Sequence, residues 1–66
     1  MKQYKIIMIS NEGTRGMAIF NKLETAKNVF ETVFKNSASA TRSYSLVEYN
    51  DNKEIVLAST KNEKDD

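Results

Sequence analysis

Cysteine and histidine are both absent from this 66-residue chain. Without cysteine there can be no disulfide, and without either residue a structural zinc site is effectively excluded. The commonest general base and the thiol nucleophile are missing as well, so no enzymatic activity, cofactor or metal is expected. A cysteine-free composition suits a cytoplasmic protein. Long apolar runs are also lacking. The run IIMI at residues 6–9 is far too short for a transmembrane helix or a signal-peptide core, and no membrane role is expected. Nor does charge of one sign accumulate. The net charge is +1, and residues 1–60 hold eight basic and six acidic groups with no basic stripe of the kind that marks a nucleic-acid domain.

A chain of this length buries only roughly 60% of the surface it exposes when unfolded, so its core is small. Small domains add disulfides, a metal or a partner chain. With the first two excluded, self-association is the expected support. Residues 1–60 are expected to form one domain, and 61–66, KNEKDD, a disordered charged tail.

The segment with a clean helical period is Leu23 to Asn36. Around Ala26, the residues Leu23, Val29, Phe30, Val33 and Phe34 fall on one side, with Glu24, Lys27, Asn28, Glu31 and Lys35 opposite. Asn21 and Glu24 have the spacing of a capping box, and Asn36 stands where a left-handed C-cap would. Glu31 and Lys35 form a well-oriented i,i+4 pair. A helix this short is marginal in water, so packing must hold it.

Strand patterns flank the helix. Residues 2–10 are apolar on both faces, 17–21 follow a turn-rich NEGTRG stretch at 11–16, and 42–50 and 53–60 flank Asp51-Asn52, a two-residue hairpin signal. The reading is an α+β fold: β-β-α-β-β, a four-stranded antiparallel sheet in order 2-1-3-4 with one helix on one face. The order 2-1-4-3 is the alternative. In the second hairpin Leu46 is expected opposite Leu57, and Val47 opposite Val56. Tyr44, Leu46, Ile55 and Leu57 then face one way, and Val47, Tyr49, Val56 and Ala58 the other.

One helix covers one face. The second face retains Ile7, Ile9, Val47, Tyr49 and Val56, a patch that monomers rarely leave in water. Burying about 400 Å² of it at roughly 25 cal/mol per Å² would contribute about 10 kcal/mol per chain before association costs. These five residues are the expected partner or dimer interface. A homodimer is favoured over a different protein partner, and over self-covering by strand twist and lysine stems.

Weaker signals point elsewhere. Glu48 and Glu54 flank the second hairpin but fall on opposite faces, which is no catalytic pair. Gly13-Thr14-Arg15-Gly16 shares the G-x-x-G spelling of the KH-domain clamp, but that loop joins two helices, whereas this one is expected to join strands. It reads as a flexible hairpin tip, with Arg15 as the candidate loop contact. Tyr4, Tyr44 and Tyr49 could stack bases if a basic groove accompanied them. The expectation is a small non-enzymatic, protein-binding regulatory or inhibitory module that forms a homodimer. The alternative is a nucleic-acid binder using the sheet face or the Gly13–Gly16 loop. In size and type the chain is similar to accessory proteins of phages and mobile elements, many of which bind a host protein.

Overall fold

The computed structural model describes residues 2–60. The expected tail at 61–66 lies outside the described residues. Four strands, β1 (Lys2–Ser10), β2 (Gly13–Phe20), β3 (Arg42–Asn50) and β4 (Lys53–Ser59), form one antiparallel sheet in the order β2-β1-β3-β4. The most apolar strand, β1, pairs on both sides, as its two-sided pattern requires.

The first hairpin is tighter than its composition suggests. Only Asn11 and Glu12 turn, and Ser10 already pairs with Gly13. Gly13 takes φ 117°, a conformation that a side chain would strain, and this closes the loop four residues earlier than the expected end at 16. Gly13 to Gly16 is therefore strand, not loop. Strand β2 also carries a bulge, because Ile6 faces Ala18 while Ile7 faces Gly16, leaving Met17 extra. In the second hairpin Asp51 adopts φ 58° and Asn50 pairs with Lys53, the two-residue turn that Asp51-Asn52 favours.

A second bulge corrects the expected face assignment. Val47 does face Val56, but Leu46 faces Ala58, and Leu57 is the extra residue. Ala58 is thereby turned to the helix side of the sheet rather than the open side. The end of β4 is clasped to β3, with the Tyr44 N–H donating to Thr60 Oγ1 at 2.8 Å and the Thr60 N–H to the Tyr44 carbonyl at 2.8 Å.

The helix begins as α1 (Leu23–Val29), widens into a π-helical turn (Phe30–Phe34) and tightens into a 3₁₀ turn (Lys35–Ser37). Lys22 is the N-cap and makes no side-chain capping bond, so the Asn21–Glu24 box does not form. Asn36 does not adopt the left-handed conformation; the chain leaves the helix through Ala38 in extended geometry. In the wide turn the Lys35 N–H donates to the Phe30 carbonyl. Each residue there advances by less than 100°, which holds Phe34 near the sheet and rotates Val33 outward, to 51% exposure. Thr32 Oγ1, Asn36 Nδ2 and Ser37 Oγ donate to the carbonyls of Asn28, Thr32 and Val33, giving the turn further hydrogen bonds.

The core lies between this helix and one face of the sheet. Tyr4, Ile6, Ala26, Phe30, Tyr44 and Leu46 form a buried cluster, with Met8, Phe20, Val29, Phe34 and Ala58 packed around it. The Phe34 and Tyr44 rings stand 5.3 Å apart at 50°, a tilted aromatic pair. Leu23 and Val33, expected in this stripe, are instead largely exposed. Helix α1 approaches β1 and β2. It is off-centre, and β4 is left poorly covered.

Candidate interaction surface

Residues that pair across strands share a face, so the registers fix both sides of the sheet. Tyr4, Ile6 and Met8 pair with Glu48, Leu46 and Tyr44 and point toward the helix. Gln3, Lys5, Ile7 and Ile9 pair with Tyr49, Val47, Ser45 and Ser43 on the open side. Strand β2 adds Ile19, Gly16 and Thr14 to that side, and β4 adds Glu54 and Val56.

All five expected interface residues, Ile7, Ile9, Val47, Tyr49 and Val56, thus lie on the open face, but they are not equally available. Val56 is 63% exposed and Ile9 is 40% exposed, whereas Ile7 and Tyr49 are half-buried. Val47 is only 3% exposed within a single chain. A charge at Val47 would therefore act on folding first, and Val47 offers a partner little surface. Ile19, which the sequence reading placed in a strand without assigning it a face, is 60% exposed on this side.

Lys5 lies over Gly16 on the open face. Its Cε lies 3.2 Å from where a Gly16 Cβ would stand, and its ammonium sits 5.6 Å from the Tyr49 ring centroid. The stem spreads over the middle of the sheet while the charge remains at its surface. The open face is apolar at Ile9, Ile19 and Val56 and cationic between them.

The remaining sequence signals disperse. Glu48 faces the helix side and meets Lys2 at 3.8 Å, while Glu54 is on the open side, so no carboxylate pair forms. Arg15 pairs with Met8 within β2 and is not on a loop. Tyr4 and Tyr44 are core residues, leaving Tyr49 as the tyrosine on the open face. Among the described residues no group of three carboxylate, histidine or cysteine side chains could hold a metal, and no helix is long and apolar enough to cross a membrane.

Two hollows bear on binding. A polar cleft of about 470 Å³ opens where the β1–β2 turn meets the helix-to-β3 linker. Its hydroxyls are occupied with backbone: Thr60 Oγ1 holds the Tyr44 N–H and Ser39 Oγ the Thr41 N–H. A smaller crevice of about 200 Å³ lies between α1 and β4, floored by Phe30 and Leu46 and edged by Leu23, Leu57, Lys27 and Glu31. It is the uncovered strip that the off-centre helix leaves. No family model, no curated protein and no solved structure matches the chain.

Proposed function

We propose that this chain is a non-enzymatic protein-binding module, regulatory or inhibitory in type, whose first partner is a second copy of itself. The observation that carries the reading is the exposure of Ile9, Ile19 and Val56 on a sheet face that, among the described residues, no other element covers. Large aliphatic side chains grouped on one face mark contact surfaces in small domains.

Nucleic-acid binding is the second reading, and the open-face Lys5 and Tyr49 would carry it, since Arg15 and Arg42 pair with Met8 and Ser10 on the other side of the sheet. Two of the three tyrosines are buried in the core, which weakens a base-stacking surface. Sedimentation velocity at high micromolar concentration, repeated at low and high salt, separates the two. A pair held by apolar contact persists as salt rises, whereas binding to an added oligonucleotide falls steeply. A chain that stays monomeric and shifts an oligonucleotide only at low salt would replace the first reading with the second.

A further inference from the structure

We propose that the polar cleft at the end of the sheet binds a phosphate group, as the free ion or as a small phosphate monoester, with Arg42 as its anchor. The proposal does not depend on the self-pairing reading. The cleft forms where three segments meet: the end of β1 at Ser10, the linker at 39–41 that leads into β3, and Thr60 just after β4. It encloses about 470 Å³, within the range of roughly 300–1,000 Å³ that small-molecule sites occupy.

Its walls offer hydrogens rather than lone pairs. Thr60 Oγ1 accepts the Tyr44 N–H at 2.8 Å, Ser10 Oγ the Glu12 N–H at 3.3 Å, and Ser39 Oγ the Thr41 N–H at 3.3 Å. A hydroxyl carries one hydrogen and two lone pairs, so an oxygen that accepts from the backbone keeps its hydrogen to give. The hydroxyls of Ser39 and Thr41 lie 3.4 Å apart and share one hydrogen, which leaves the other of that pair to donate. The backbone acceptors beside them are engaged. The Ser39 N–H donates to the Arg42 carbonyl at 2.9 Å, and the Arg42 N–H to the Ser39 carbonyl at 3.4 Å. A set of donors with its acceptors in use suits an anion and not a metal ion.

Charge selects the same class of ligand. Arg42 is exposed, and among the described residues no carboxylate lines the cleft or pairs with its guanidinium. A guanidinium is a planar fork of donors that matches two oxygens of a phosphate. The remaining phosphate oxygens would then meet the hydroxyls on the other walls. Arg15 lies on the same side of the sheet but opens on a separate hollow that Glu12 also lines. A single cation free of carboxylates suits one phosphate group rather than a polyanionic backbone. Glu12 also lines the hollow adjoining the cleft, beside Arg42, and its charge opposes binding from there.

Amide chemical shifts of the full chain, titrated at pH 7 with inorganic phosphate and with glycerol 3-phosphate, test the proposal against sodium chloride at matched ionic strength. The amides of Ser10, Ser39, Thr41, Arg42 and Thr60 should shift and saturate with phosphate and not with chloride. Arg42→Gln should weaken binding at least about tenfold. Glu12→Gln should tighten it about twofold, and Lys27→Gln on the helix should leave it unchanged. Tighter binding of glycerol 3-phosphate would assign the ester, and tighter binding of inorganic phosphate the free ion; both support the site. Shifts that chloride reproduces, or an affinity that Arg42→Gln leaves intact, would overturn it. If Arg42→Gln fails to fold, an affinity that does not rise in Glu12→Gln overturns it instead.

Discussion

Lys5 lies across Gly16 and sets its ammonium 5.6 Å from the Tyr49 ring centroid, so one side chain spans three strands of the open face. Val47, its cross-strand neighbour on β3, is 3% exposed, and Ile9, Ile19 and Val56 are the exposed aliphatic residues around it. Lys5→Ala should uncover the backbone at Gly16 and remove the cation–π contact, destabilising the fold by about 0.5–1 kcal/mol in urea titration. Lys5→Met, which keeps much of the stem, should recover most of that loss.

Phe30 is the centre of the core and sits where the helix changes from α to π geometry. Phe30→Ala should cost about 3–5 kcal/mol, which is enough to unfold much of so small a domain at room temperature. Circular dichroism melts measure it directly. An unchanged melting curve would mean that the helix does not pack through this residue.

Val33 gives the complementary test of the π-helical turn. A regular α-helix would place Val33 about 20° from Ala26, near the middle of the buried stripe, and truncating it there would cost about 1 kcal/mol or more. The wider turn exposes it, so Val33→Ala should change stability by no more than about 0.5 kcal/mol. Phe34→Ala, which removes the ring packed on Tyr44, should cost several times as much.

Asp51 holds the left-handed position of the second hairpin at φ 58°. Asp51→Gly should be neutral or slightly stabilising, whereas Asp51→Val should cost about 1–2 kcal/mol because a β-branched residue resists positive φ. Equal stability of the two variants, in paired chemical melts, would contradict that geometry.

The element order, the sheet order and the buried centre at Ile6, Phe30 and Leu46 were legible in the sequence, because period-2 and period-3.6 patterns record which face meets the core. What escaped are local departures from ideal periods. The bulges at Met17 and Leu57 each add one residue to a strand, and the turn at Phe30–Phe34 widens the helix. A pattern count assumes a constant period, so it put Ala58 on the wrong face and Val33 in the core. Gly13 was read as part of a flexible loop, although its positive φ closes a two-residue turn. Alternation alone predicts that Ile7, Ile9, Val47, Tyr49 and Val56 share a face, and they do. That Val47 is already buried within a single chain depends on packing across the strands, which no linear pattern contains.

Self-pairing through exposed apolar residues is the central claim, and the concentration dependence of the melting temperature tests it most directly. If folding and pairing are coupled, mass action stabilises the native state as the chain becomes more concentrated. Over about a hundredfold range of concentration the midpoint should rise by several degrees for the wild type, and the rise should vanish in a Val56→Lys variant. A wild-type midpoint that does not move with concentration would contradict the account.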